Sequence, residues 1–229
     1  ALSSAASDVY KRQLFINGVG VLGPGFVFDS PREMMTEGGV FPCLLGTFLL
    51  AAGAILIALP FGVACAVWLN EYGKQGPVVD IVRLSGSNLA GVPSIVFGLF
   101  GLAFFVTALG FNVSLLSGIL TLAVLTLPVI INTTEEALKQ VPRAWREASL
   151  ALGATKSQTI GRVVLPAALP GILTGAILAV ARAAGETSAV MFTAAVFYTP
   201  KLPESVWSSV MALPYHMSFS YTHLTLPTI

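Results

Sequence analysis

Arg182 and Glu186 stand four residues apart in a stretch, roughly 165–197, that is otherwise apolar. On a helix that spacing puts both side chains on one face. A planar guanidinium can meet an oxyanion through two parallel N–H···O bonds. A carboxylate beside it would hold the guanidinium in place and keep it from trapping the anion. The pair therefore reads as a candidate step on an anion path. The competing reading is a structural ion pair that locks helices together. The neighbours Ala181, Ala183, Ala184, Gly185 and Ser188 are small and leave room for another helix or an ion. A lone Arg at membrane depth costs about 2.5–3.5 kcal/mol on insertion scales, so the pair should face a bundle interior or an aqueous cavity.

A second candidate is polar. Glu147-Ala148-Ser149-Leu150-Ala151-Leu152-Gly153 is followed, nine residues after Gly153, by Val163-Val164-Leu165-Pro166. Pro142 suits the start of a helix, where a missing N–H costs nothing. Arg143 to Leu152 then forms a helix and Gly153 its C-terminal cap. Thr155 with Gln158 makes a capping-box pattern for a second short helix, which Leu165-Pro166 would end at the membrane surface. Trp145, Ala148 and Leu152 lie at helical spacings of three and four, as an apolar stripe. Ala148, Ser149 and Ala151 are small enough to let a partner approach. A helix-turn-helix of this kind can act as a rigid lever; taken alone, it could equally be an ordinary amphipathic interfacial helix.

Both candidates are positioned by helices in a bilayer. The chain of 229 residues is 55% hydrophobic and only 10% charged, with formal net charge +1 and mean hydropathy +0.83. A soluble domain carries about 25% charge. Residues 41–69 and 84–134 hold no Asp, Glu, Lys or Arg. About 20 residues cross the hydrocarbon, so the second run has room for two passes joined by a turn at Gly110-Phe111-Asn112. Backbone amides in lipid must be paired internally, in helices or a closed barrel, and these runs lack the alternation of barrel strands. The expectation is an all-α integral membrane protein with helices near 41–69, 89–110, 114–134 and 167–197. Pro60, Pro93, Pro128 and Pro170 fall within them or at their ends and would kink them. Cys43 and Cys65 sit about 33 Å apart along one helix, too far to pair. With His216 and His223 as the only histidines, no metal-ligand cluster is expected.

Lys and Arg favour the cytoplasmic side. Lys74 and Arg83 lie in loop 70–83, and Lys139, Arg143, Arg146, Lys156 and Arg162 in loop 135–162; the other side offers Arg32 and Lys201. The transmembrane core is thus expected at 41–197, with a cytoplasmic loop at 135–166 and extracytoplasmic segments at 14–40 and 198–218. That orientation calls for a helix upstream of residue 41, and for another beyond 218. Residues 1–13 and 219–229 fit no element around them and resemble translated adapter sequence. They read as non-native tails, or else as natural disordered ends.

The Glu-Ala-Ser, Gly and Leu-Pro spacing resembles the EAA loop of ABC importer permeases, where such permeases meet their ATPase. Ser149 stands where that family usually has a second Ala, and Val163 where it usually has Ile. Asn88-Leu89-Ala90-Gly91-Val92-Pro93-Ser94-Ile95-Val96-Phe97-Gly98, Thr126-Leu127-Pro128-Val129, Thr134-Glu135-Glu136-Ala137-Leu138 and Ala181-Arg182-Ala183-Ala184-Gly185-Glu186-Thr187 look like the phosphate-specific permeases of that family, PstA-type in detail. The resemblance covers about 38–217. It implies a MetI-like ABC importer permease fold with about four of an expected six transmembrane helices present, in a bacterial inner membrane. It implies a PstC-type permease partner, a PstB-type ATPase dimer that binds the ATP and Mg, a periplasmic phosphate-binding protein, and phosphate as substrate. It assigns ATPase coupling to Glu147, Ala148, Ser149, Gly153, Leu165 and Pro166, and the substrate path to Arg182 and Glu186. No cofactor, metal or nucleic acid is implied for this chain. The alternatives are a permease for another oxyanion such as sulfate or molybdate, a PstC-type subunit, a passive channel and an intramembrane enzyme. The chain has no GxxxxGK[ST] loop and cannot itself be the ATPase; an intramembrane enzyme would need a base at membrane depth, where neither His is expected.

The topology is testable by thiol labelling in an otherwise cysteine-free full-length protein. Gln75→Cys and Lys156→Cys should react only from the cytoplasm, and Lys201→Cys only from outside. Labelling of position 156 from outside would overturn both the orientation and the ATPase contact.

Overall fold

The computed structural model describes residues 23–31, 38–73, 91–199 and 202–223, with isolated positions at 18–19 and between 76 and 89. Lys74, Arg83, Arg32, Lys201, Asn88 and Ala90, and residues 1–13 and 224–229, lie outside the described residues. The helices in chain order are α1 (Pro24–Phe28), α2 (Phe41–Tyr72), α3 (Ser94–Ala108), α4 (Leu115–Gln140), α5 (Arg143–Ala151), α6 (Lys156–Ala184), α7 (Ser188–Thr193) and α8 (Leu213–His223). Three of them, α2, α4 and α6, are long and apolar enough to cross a membrane, at 32, 26 and 29 residues.

Helix α4 is the centre. Of its most apolar stretch 61% is buried inside the protein, against 28% for α2 and 33% for α6. It packs on α2, α6, α3 and α7. Close approach by α2 rests on small residues at every fourth position: Gly46, Ala54, Ala58, Gly62 and Ala66 are all buried, with Leu50 in the same column. A Cβ added to Gly62 would come within 2.6 Å of Ile130, and one on Gly118 within 2.5 Å of Ala194. Without a hydrophobic drive between helices in lipid, such small-residue contacts are what hold the pair together. Two buried threonines of α4 bond inside their own helix, Thr121 to Ser117 O at 2.7 Å and Thr126 to Leu122 O at 2.8 Å.

The N-terminus of α4 is closed by backbone from elsewhere. The first amides of a helix have no intrahelical acceptor. Here Ser114 N–H donates to Thr193 O (3.1 Å), Leu115 N–H to Ser208 O (2.9 Å) and Leu116 N–H to Val206 O (2.9 Å), while Ser114 Oγ accepts from Ser117 N–H at 3.2 Å. Residues 194–199 and 202–212 thus lie across the end of the bundle. Leu213 N–H donates to Thr47 Oγ1 at 2.9 Å, tying the start of α8 to α2.

Several expected boundaries move. The third helix runs on to Gln140 and carries the Thr134–Leu138 segment, so the connecting loop is shorter than 135–166. The second apolar pass is only an 8-residue α-helix and a 7-residue π-helix, starting after a turn and Pro93 with ψ 137°. At 1.5 Å per residue this is too short to span about 30 Å of hydrocarbon alone. Leu165-Pro166 does not end a helix: both lie inside α6, just after a π turn at Ile160–Val164. The wider turn takes up the clash between the Pro166 ring and the carbonyl four residues back. The last expected helix, 167–197, is two elements. It stops at Ala184, with Gly185 as its C-cap, and restarts as α7. Residues 219–223 continue α8 rather than standing apart from it. The turn at Gly110-Phe111-Asn112 forms as expected, with positive φ at Gly110 (70°) and Asn112 (55°).

The packing predicts opposite outcomes at two glycines. A Cβ at Gly46 would run into the backbone carbonyl of Met211, which cannot rotate away, whereas one at Gly161 meets nothing. Gly46→Ala should cost about 1–3 kcal/mol through overpacking. Gly161→Ala should be neutral or gain up to about 1 kcal/mol as Ala replaces a helical Gly. Thermal unfolding of the detergent-solubilised full-length protein, followed by size-exclusion fluorescence, checks both.

Candidate coupling surface and membrane charge site

Local sequence builds the helix-turn-helix as expected. Helix α5 begins after Pro142 and ends at Leu152 in a Schellman motif: Ala154 N–H donates to Ser149 O (3.2 Å) and Gly153 N–H to Leu150 O (2.9 Å). Gly153 sits at φ +84°, in the left-handed region that other residues enter at a cost. Thr155 then caps α6 reciprocally with Gln158, whose Oε1 accepts from Thr155 N–H at 2.9 Å. The two short arms are cross-linked by Ser149 Oγ and Thr159 Oγ1, 2.9 Å apart. An Ala at position 149 could not make that bond.

Among the residues of α5 none is buried. Trp145 is 53% exposed and Leu152 is 89% exposed. The expected apolar stripe therefore faces away from the protein's own core. Glu147 and Ala148 are exposed beside it; Ser149 is half-buried; Leu165 and Pro166 lie on α6, separated from α5 by the turn. A groove of about 290 Å³ runs beneath Trp145, lined by Ala137, Gln140, Val141, Ala168 and Gly171.

What fixes this unit to the bundle was not anticipated from sequence. Arg146 Nη2 donates to Glu71 Oε1 and to Leu138 O, both at 2.9 Å, and Nη1 donates to Val141 O at 2.6 Å. Leu138 and Val141 are at the C-terminal end of α4, where carbonyls lack helical donors. One guanidinium thereby joins α5 to the ends of α4 and α2. Asn70 Nδ2 also donates to Glu71 Oε1 at 2.9 Å. Lys156 donates to the Glu71 backbone carbonyl and lies 4.8 Å from the Tyr72 ring centroid. The Arg146 and Glu71 side chains are 19% and 10% exposed. An exposed ion pair is worth about 0–1 kcal/mol, but removing one partner of a buried pair costs about 3–5; this pair stands near the buried end. The sequence signal was a carboxylate at the end of an uncharged run and an Arg beside the Glu-Ala-Ser motif, 75 residues apart.

Arg182 lies in the last turn of α6, and Glu186 just past Gly185, beyond the helix. They do not share a helical face, and the ion pair expected between them is not formed. Both are half-buried. Their depth follows from packing. Gly171 meets Ala137 and Gly175 meets Thr133, so the antiparallel register carries Arg182 to the level of Thr126, midway along α4. The helix break beside them is supported by α3, where a Cβ added at Gly98 would come within 2.9 Å of Ser188 O and 3.0 Å of Ala189 Cα. Among the described residues no three His, Cys, Asp or Glu side chains gather as metal ligands.

Comparison with known proteins follows this geometry. The chain is 38% identical over 195 residues to the probable ABC transporter permease protein YqgI of Bacillus subtilis, covering 85% of this chain and 66% of that protein. It is 42% identical over 202 residues to the phosphate transport system permease protein PstA of Mycobacterium leprae, covering 86% and 64%. To PstA of Xylella fastidiosa (strain Temecula1) it is 38% identical over 245 aligned positions, covering 95% and 85%. The chain thus spans just under two thirds of the first two relatives. A chain of the MetNI methionine ABC transporter in an inward-facing form superposes with TM-score 0.58 at 24% identity, covering 83% of this chain and 82% of that one. The fold is therefore MetI-like. Residues 58–206 match the family model described as binding-protein-dependent transport system inner membrane component. This chain, with its apolar helices and its helix-turn-helix, belongs to that family of multi-pass inner-membrane transport proteins.

Proposed function

We propose that the chain is a membrane-spanning subunit of an ATP-driven importer of inorganic phosphate. The observation that carries this reading is the likeness to phosphate transport permeases, extending over 95% of the chain in the Xylella case. The site geometry supports it. Helix α5 offers an exposed apolar stripe on the cation-rich side, rigidly turned at Gly153, as a docking surface for an ATPase. A second permease subunit of PstC type, a PstB-type ATPase dimer and a periplasmic phosphate-binding protein complete the machine. ATP and Mg belong to the ATPase, and this chain is not itself a catalyst. Arg182, at mid-membrane level beside a helix break, supplies a fixed positive charge where a dehydrated anion needs one. Glu186, held off the helix, is free to take the guanidinium when the anion leaves.

Two experiments on the reconstituted full-length complex test the two roles. Gly153→Val forces a β-branched residue into a left-handed conformation, at about 1–2 kcal/mol or more, and misplaces the two arms. Glu147→Lys reverses a charge beside the stripe. Either should lower the ATP hydrolysis stimulated by the phosphate-loaded binding protein by about tenfold, the equivalent of 1.4 kcal/mol. Unchanged stimulation in both, with normal assembly, would count against α5 as the docking element.

Arg182→Gln removes the charge and keeps hydrogen bonding. Charge-assisted bonds are worth about 1.5–3 kcal/mol, so phosphate uptake should fall at least about tenfold. If the charge of Arg182 serves only to meet Glu186 at another stage of the transport cycle, Arg182→Gln/Glu186→Gln should restore uptake, because neither charge then lacks its partner. If Arg182 meets the anion, the double variant should assemble and still fail. Uptake of sulfate or molybdate in place of phosphate by the unaltered complex would reassign the substrate.

A further inference from the structure

We propose that Arg146 and Glu71 are positioning residues that tie the docking helix α5 to the cytoplasmic end of α2, so that displacement of α5 moves α2 with it. The proposal rests on the coupling role given to α5 above, but names a different pair of residues and a different step. Three observations carry it. First, both arms of the helix-turn-helix hold the same residue of α2: Arg146 takes the Glu71 carboxylate at 2.9 Å, and Lys156, at the start of α6, takes the Glu71 backbone carbonyl. Second, Arg146 also holds the terminal carbonyls of α4 at Leu138 and Val141. A push on α5 therefore reaches two transmembrane helices through one planar group, whose fork geometry resists rotation. Third, Glu71 lies in a π turn, Trp68–Tyr72, that ends α2 at Gly73. Such wide turns in a long helix are commonly found at functional hinges.

The pair is well shielded, with 19% and 10% side-chain exposure, so water does not substitute for either partner without cost. Ser149 and Thr159 fix the two arms to each other, but that bond does not reach α2. Among the described residues, Arg146 and Lys156 bridge the helix-turn-helix to α2. Removing the Glu71 charge should thus uncouple the docking helix while leaving the docking surface itself intact, since Trp145, Glu147 and Ala148 are untouched.

The test uses the full-length protein in its complete complex in proteoliposomes, with phosphate uptake and ATP hydrolysis measured on the same vesicles. Glu71→Gln is the gentle variant: it keeps an acceptor oxygen and leaves Arg146 its bonds to Leu138 and Val141. Arg146→Gln is the severe one, and Arg146→Lys the conservative one. Assembly and basal hydrolysis should be unchanged in Glu71→Gln. Phosphate moved per ATP hydrolysed should fall at least about fivefold, the lower end of coupling between distant sites. Glu71→Gln/Arg146→Gln should be no worse than Arg146→Gln, because one link is broken either way, and Arg146→Lys should be intermediate. An unchanged transport ratio in Glu71→Gln and Arg146→Gln overturns the proposal. So does failure of Glu71→Gln to assemble, which would make the pair a folding element. If the unaltered complex hydrolyses ATP in response to the binding protein but moves no phosphate, the substrate reading fails alone. The link is then read from the stimulated hydrolysis, which the variants should lose and the unaltered protein keep.

Discussion

A buried backbone group has no water to turn to, so each buried end of the central helix must be closed by protein. Helix α4 shows how far that requirement reaches. Its first amides are taken by carbonyls of Thr193, Ser208 and Val206, and carbonyls at its last turn by the Arg146 guanidinium. The closing groups all come from later in the chain, yet they meet α4 at its two opposite ends. The closure at its N-terminus fixes residues 194–199 and 202–212 across the bundle and brings α8 to α2. The closure at its C-terminus fixes the helix-turn-helix. The helix-turn-helix is thus placed by the capping of one buried helix, whereas the level of Arg182 is set by the packing of α6 on α4.

The second constraint is close packing between helices that have no hydrophobic reason to associate in lipid. The column Ala54, Ala58, Gly62 and Ala66 lets α2 and α4 approach until Ile130 fills the space above Gly62, with Ile119 likewise over Gly53 beside it. Contacts of that kind are lost by small separations, because dispersion falls off steeply with distance. The pair therefore moves as a unit or not at all. Bending is left to the places where the α-helical ladder is already altered: the π turns at Trp68–Tyr72, Leu102–Ala108 and Ile160–Val164, and the break at Gly185.

Much of this was legible in residue types. Uncharged runs marked the apolar helices, Gly110 and Asn112 the reversal between two of them, and the Gly153 and Thr155–Gln158 signals set the helix-turn-helix to within a residue or two. Local chemistry decides those features. Hydropathy averaged over a long window could not see the break at Gly185, because the polar stretch Gly185-Glu186-Thr187-Ser188 is short, apolar residues flank it on both sides and no Pro marks it. It could not see that α3 is short, because a half-length helix supported by α7 has the same composition as a full one. Leu165-Pro166 looked like a stop; a π turn before it absorbs the ring. Glu71 was passed over because its partner lies 75 residues away, and one residue at the end of an apolar run carries no periodic signal. Ser149, an apparent departure from the small-residue motif, is explained by its bond to Thr159.

The charges divide into two layers whose energetics differ. At the α5 end of the bundle, Arg146 is surrounded by three acceptors, and its desolvation is offset bond by bond; such a group is expensive to disturb and suits a fixed joint. At mid-membrane, Arg182 and Glu186 are half-buried on either side of a helix end and not bonded to each other. A charge that the protein leaves incompletely satisfied in a low-dielectric region retains attraction for a mobile counter-ion, and it must not be quenched by its neighbour if an anion is to be bound and released. The contrast matters more than either site alone. A fully saturated cation would transmit force and bind nothing, whereas an unsaturated one would bind and transmit poorly. The column of small residues between the two layers keeps α2 and α4 rigid, so the saturated joint can change the surroundings of the unsaturated charge without touching it.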